Sequence, residues 1–215
     1  MWKFPYKTIP YEHQRNALNE SAIKTQWAYF MEMGTGKTKV TIDNLAYLFL
    51  QRTVTAALII APKSVYTNWE TEIQIHMPEV IKYKIYKWNL DKPKDFYALD
   101  DYKHLRIFLI NVEALSTKRG FDACVDYLRK NKLNFVTVDE STTIKNRSAK
   151  RTKNILGLQK LAHIRRILTG SPITKSPLDL YTQCQFLSPE LLGFSSYLAF
   201  RNRYAEMTDI PVGSG

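Results

Sequence analysis

The chain has 215 residues, 45% of them hydrophobic and 24% charged. That is enough apolar material to bury a sizeable core, and it excludes a disordered class. Its 31 Lys and Arg against 20 Asp and Glu leave a formal net charge of +11, and its two cysteines, Cys124 and Cys184, lie too far apart to suggest a disulfide framework or a thiolate metal knot. No apolar run approaches a membrane span and the start, MWKFPYKTIP, lacks a signal-peptide core, so the expectation is a soluble, cytoplasmic protein with no membrane partner.

In chain order, helical periodicity over 12–23 precedes an apolar strand at 26–30 and a helix at 37–50. A strand at 56–60, a helix at 65–76 and strands at 82–86 and 106–111 come next. A helix at 121–130, a strand at 135–138, a helix at 148–161, a strand at 166–168 and a helix at 178–186 complete the pattern. Several strands are nearly continuous apolar runs, which suit a parallel sheet covered on both faces. The alternation therefore predicts one doubly wound α/β domain, with a mostly parallel central sheet and helices on both faces. One lobe is expected over 1–210, and the closing segment 211–215 reads as a linker or tail.

The strongest local signal follows the first strand, in YFMEMGTGKTKV (29–40). Gly34, Thr35 and Gly36 let the backbone curl so that successive N–H groups face one anion, and the helix opening at Lys37 adds its positive end. In such a loop Lys37 reaches the β- and γ-phosphates and the Thr38 hydroxyl binds Mg²⁺, which makes ATP and Mg²⁺ the expected cofactors. Met31 stands where the usual motif has its first glycine.

A second signal lies in FVTVDESTTIKN, where Asp139 and Glu140 end an apolar strand. Most acids at strand ends start a turn or cap a helix. A phosphate loop, however, needs a carboxylate for the metal and another to orient the attacking water. Asp139 follows Lys37 by 102 positions (139 minus 37), which suggests neighbouring strands and a catalytic set of Lys37, Asp139 and Glu140.

Beyond the acids the balance of charge changes. Between Ser141 and Pro177 there is no acid, but there are nine bases: Lys145, Arg147, Lys150, Arg151, Lys153, Lys160, Arg165, Arg166 and Lys175. Such a run suits a polyanion such as nucleic acid, and equally a solvated helix face.

The blocks YEHQ, MGTGKT, IIAPKSVYTNW, INVEAL, VDESTTIKNRSAKRTK and ILTGSPITKSPLDLYTQCQFLSP, in this order, resemble the first RecA-like lobe of the Swi/Snf-related ATPases of helicase superfamily two. The last two blocks carry most of the likeness, since such proteins typically read DEAHRIKN and LTGTPIQNSLLDLWS there. The loop MEMGTGKT is also similar to that of short phage-encoded members, which makes a viral origin an expectation.

The resemblance implies a RecA-like P-loop domain that couples ATP hydrolysis to movement on double-stranded DNA, as a translocase or a helicase. The other class the sequence allows is a stand-alone ATP-gated module that binds nucleic acid or protein without translocating. By the same likeness Gln14 contacts adenine, although on the residues alone it reads as an exposed helix position. Lys63, Ser64, Asn111, Lys145 and Asn146 are expected on nucleic-acid phosphates, and Thr169, Gly170 and Ser171 in the loop that couples the two ligands. Where the family has Ala and His after the two acids, this chain has Ser141 and Thr142, so a Thr142 hydroxyl is expected to hydrogen-bond the acids to the 169–171 loop; simple capping is the alternative. A second RecA-like lobe, absent from this chain, is the expected partner and the source of an arginine that speeds phosphoryl transfer.

Overall fold

The computed structural model describes residues 4–89 and 103–205, so the 211–215 tail lies outside the described residues. The strands are β1 (Gln26–Phe30), β2 (Ala56–Ala61), β3 (Tyr83–Lys87), β4 (Leu105–Asn111), β5 (Asn134–Asp139) and β6 (Ile164–Thr169). They form one sheet in the order β1-β6-β5-β2-β4-β3, with every pairing parallel. The helices are α1 (Glu12–Ser21), α2 (Lys37–Leu50), α3 (Lys63–His76), α4 (Lys118–Lys130), α5 (Lys150–Leu158), α6 (Leu180–Leu187) and α7 (Tyr197–Tyr204).

Alternation along β2 shows why its run is continuously apolar. Ala57, Ile59 and Ala61 point into a core with Val40 and Leu45 of α2 and Trp69 and Ile73 of α3. Ala56, Leu58 and Ile60 point the other way, to Cys124 and Leu128 of α4, Ile155 of α5 and Phe186 of α6. Both faces are covered, and each fully buried Leu or Ile contributes about 1.5–3 kcal/mol.

Three expectations need correction. The strands before the phosphate loop and before Asp139 are not neighbours: β6 separates them, and Ile167 pairs with Ala28 on one side and Val138 on the other. Spacing along the chain sets no adjacency here, because a strand that comes later in the sequence inserts between the two. The helix expected over 148–161 shortens to α5 plus a 3₁₀ turn (Gln159–Leu161), since the Asn146 carboxamide takes the Ser148 N–H at 3.0 Å and delays helix entry. Helix α7 lies in the segment LLGFSSYLAFRNRYAEM, which has room for a helix or two.

The third correction concerns the nine bases, which do not share one face. Arg166 is 0% exposed. Its guanidinium donates to the Asn44 carboxamide (2.9 Å) and to the backbone carbonyls of Arg165 (2.8 Å), Ser21 (3.0 Å) and Lys24 (2.8 Å). It pins the end of α1 to the sheet and is closed to any polyanion. Arg151 donates to the Thr143 carbonyl at 3.0 Å, and Arg147 lies over the Tyr197 ring at 4.4 Å.

Candidate nucleotide site and the loops around it

The C-terminal ends of β1 and β5 open into a cleft of about 340 Å³, lined on one side by Met33, Gly34, Gly36, Lys37 and Thr38 and on the other by Asp139 and Glu140. It lies outside the carboxyl ends of a parallel sheet, where strand order reverses, which is the usual ligand position in open α/β folds. Gly34 and Gly36 have φ of +76° and +85°, a region that side chains rarely occupy. At Gly36 a Cβ would also come within 2.3 Å of Gln14 Nε2. The loop therefore takes the anion-cradling curve that its glycines predict, and α2 starts directly behind it.

Lys37 Nζ donates to the carbonyls of Met31 and Glu32, both at 3.0 Å, which leaves its third proton available to a ligand. Thr38 makes no hydrogen bond through its hydroxyl among the described residues and faces the cleft. Thr35 closes the loop on itself through Oγ1 to the Glu32 carbonyl, 2.7 Å. Gln14 is buried, at 5% exposure, contrary to its reading as an exposed helix residue. Its Oε1 accepts from Tyr11 N and its Nε2 donates to the Thr35 carbonyl, each at 3.0 Å. In this structure it braces the phosphate loop, with one lone pair and one proton of its amide still to spare.

Asp139 is 8% exposed. Its Oδ1 accepts from Glu140 N and its Oδ2 from the Trp69 indole, both at 2.9 Å. Burial pushes its carboxyl above the ordinary value, while the two donors pull the other way. Glu140 sits at φ +45°, a strained conformation for a side-chain residue, and the turn that follows it aims the carboxylate into the cleft. Among the described residues no group of three or more His, Cys, Asp and Glu could hold a metal ion; the cleft offers one hydroxyl, Thr38, and two carboxylates, Asp139 and Glu140. That sparse hydroxyl and carboxylate set suits Mg²⁺, which retains water and phosphate ligands.

One wall of the cleft escaped the sequence reading. Val65, Asn68, Trp69 and Glu72 all line it from α3. Their i, i+3, i+4, i+7 spacing, in a segment that begins PKSVYTNW, is the signal that could have found them.

The residues expected on nucleic acid are spread over the rim. Lys63 and Ser64 are exposed and open α3, one residue past Pro62, not in a loop. Asn111 ends β4 and donates to Glu113 at 3.1 Å. Asn146 forms a local turn with Ser148. Lys145 is held by Thr174 and lies 3.8 Å from Asp179. Three of the five thus have intramolecular partners, while Lys63 and Ser64 have none among the described residues.

The loop 169–171 leaves the end of β6, the strand that lies between β1 and β5. A Cβ on Gly170 would come within 3.3 Å of Met33 N, so this loop abuts the phosphate loop. Thr169 Oγ1 approaches Glu140 Oε2 at 3.5 Å and accepts from Ser171 N at 3.2 Å. The hydrogen bond expected of Thr142 is not there: its hydroxyl has no partner among the described residues. Its neighbour Ser141 donates instead to Gln183 Oε1 of α6 at 2.6 Å. The 3₁₀ turn Ser141–Ile144 buries Ser141 and leaves Thr142 half-buried, which is why the neighbour's hydroxyl is the one engaged.

A six-stranded parallel sheet with helices on both faces and a phosphate-loop geometry at its carboxyl end defines a RecA-like domain. The family model described as SNF2-related domain matches residues 29–209, and the chain belongs to that family. It is 32% identical over 181 residues to the chromatin-remodeling ATPase INO80 of Candida albicans, covering 81% of this chain and 12% of that protein. It is 30% identical over 161 residues to the probable ATP-dependent DNA helicase CHR23 of Arabidopsis thaliana, covering 74% of this chain and 14% of that protein. The chain thus spans a small part of the length of these relatives. Its fold is similar to a solved Sulfolobus solfataricus SWI2/SNF2 ATPase core in complex with dsDNA, with a TM-score of 0.74 and 24% identity over 94% of this chain and 40% of that one.

Proposed function

We propose that this chain is the ATP-binding lobe of a double-stranded DNA translocase or helicase that couples ATP hydrolysis to movement on DNA. The observation that carries the proposal is the single cleft that faces Gly34–Thr38 with Asp139 and Glu140. Bound ATP with Mg²⁺ supplies the phosphoanhydride to be cleaved. Backbone N–H groups of Gly34, Thr35 and Gly36 hold the phosphates, and Lys37 neutralises them. Thr38 and Asp139 hold the cation, Gln14 supports the loop and adds an adenine contact, and Glu140 orients the water. Double-stranded DNA as partner is supported by the +11 charge and by the DNA-bound core that this fold resembles. Lys63, Ser64, Asn111, Lys145 and Asn146 form the proposed phosphate path, with a second lobe completing the motor. A phage-encoded origin is proposed from the MEMGTGKT loop alone, and a cytoplasmic location from the unpaired cysteines and the absence of a signal-peptide core.

The test separates binding from hydrolysis. Lys37→Ala should weaken binding of a non-hydrolysable ATP analogue by about tenfold to a hundredfold, the worth of a charge-assisted hydrogen bond. Glu140→Gln should leave that affinity nearly intact. Turnover by the 215-residue chain alone should be slow, because an arginine from a second lobe accelerates related reactions by about 10³–10⁵. Parent-like analogue binding by the Lys37→Ala variant would refute the nucleotide site.

A further inference from the structure

Gln183, on α6, is 0% exposed and uses its amide in three directions. Its Oε1 accepts from Ser141 Oγ at 2.6 Å, and its Nε2 donates to the carbonyls of Pro172 (2.8 Å) and Asp179 (2.7 Å). Ser141 is likewise 0% exposed and follows Glu140 directly. Pro172 belongs to the loop that leaves β6. One planar amide therefore joins the turn behind the catalytic acids to that loop. Only a carboxamide accepts on one arm and donates twice on the other without carrying charge, which suits so buried a position.

The preceding residue of α6 adds a second grip. Thr182, 1% exposed, donates its hydroxyl to the Ile144 carbonyl at 2.5 Å. The turn Ser141–Ile144 is thus fastened to α6 at its first and last residues. Lys145, next along, reaches Thr174, and Asp179 in turn accepts from Thr174 N and Lys175 N, each at 2.9 Å. The loop so gathered ends in exposed Ile173, Thr174 and Lys175.

We propose that Gln183 is a positioning residue: with Ser141 it makes the 140–145 and 170–175 segments move as one, so that a displacement of Glu140 at the nucleotide is carried to the rim. This rests on the nucleotide reading above and adds a route to it. Thr169 also approaches Glu140, but at 3.5 Å from a partly open position it is the weaker tie.

Amide hydrogen exchange of the whole chain, with and without a non-hydrolysable ATP analogue and Mg²⁺, tests the route. In the parent the analogue should change exchange at 33–38, 140–145 and 170–175. In Ser141→Ala and in Gln183→Met the change at 33–38 and 140–145 should persist and that at 170–175 should be lost. Removing both partners together recovers part of the stability that a single deletion costs, because the buried Ser141 hydroxyl no longer faces an apolar side chain, although the Pro172 and Asp179 carbonyls lose the amide donor in both Gln183 variants. The Ser141→Ala/Gln183→Met variant should therefore regain thermal stability over the poorer single variant without regaining the 170–175 response, which a merely structural role would not produce. Persistence of the 170–175 response in both single variants would overturn the proposal, as would its return in the double variant. A parent that shows no change at 33–38 would overturn the nucleotide reading, and this inference with it.

Discussion

The cleft over β1 and β5 and the basic stretch 141–177 differ in what holds their side chains. In the cleft, the backbone itself makes the site: two glycines at positive φ, a helix start and a strand end leave Lys37, Thr38, Asp139 and Glu140 little choice of direction. In the basic stretch nothing local aims the charges, and several bases took whichever partner was available. Arg166 went into the core, Arg151 to a carbonyl, Arg147 onto an aromatic ring and Lys145 to a neighbouring loop. A motif tied to backbone geometry carries its own placement, whereas a charge run states only composition.

The largest expected effect tests the second half of that contrast. Arg166→Met should cost about 3 kcal/mol or more, because it strips donors from four oxygens, two of them in fully buried bonds. Urea denaturation measures it. If stability were unchanged and DNA affinity fell instead, the bases would after all act as one polyanion face.

A smaller loss should follow from Trp69→Phe, which keeps the ring and deletes the N–H held by Asp139. A hydrogen bond to a charged group is worth about 1.5–3 kcal/mol, and its loss should raise the Mg²⁺ concentration needed for analogue binding as well as lower the urea midpoint. A midpoint and Mg²⁺ dependence equal to the parent's would show that backbone geometry alone orders Asp139.

The smallest effect concerns Asp179, whose carboxyl lies at about 2 against an ordinary 3.8: burial, the largest single cause, raises it, but the Thr174 hydroxyl, the N–H groups of Lys175 and Thr174, and Lys145 together pull it lower. Because the folded value is depressed, its contribution to stability is present above about pH 4 and fades as pH falls towards 2. Asp179→Asn should flatten stability over that window. It should also free Lys145 and steepen log affinity for duplex DNA against log salt by about one unit. An unchanged slope would mean that Lys145 takes no part in binding DNA.

Much of the architecture was legible because each strand announces itself by an apolar run and each helix by its period. The 37–50 helix and the 26–30 strand match residue for residue, since a glycine turn and a strand end bound them sharply. The phosphate loop was legible for the same reason. Trp69 was not, because its partner Asp139 lies 70 positions away and no local rule joins an indole to a distant carboxylate. Ser141 was passed over in favour of Thr142, since a short 3₁₀ turn, whose phase the sequence does not reveal, selects which hydroxyl is buried.

By itself, the sequence determined the parallel α/β class, the curl of Gly34–Thr38 and the presence of two acids at a strand end, all consequences of local conformational preference and apolar periodicity. Tertiary structure alone decided that β6 separates β1 from β5, that Arg166 is core and not surface, and that Gln183 stands between Ser141 and Pro172. Those outcomes depend on which segments meet after the chain has crossed the sheet. There a buried polar group takes whichever partner the packing brings within hydrogen-bond reach.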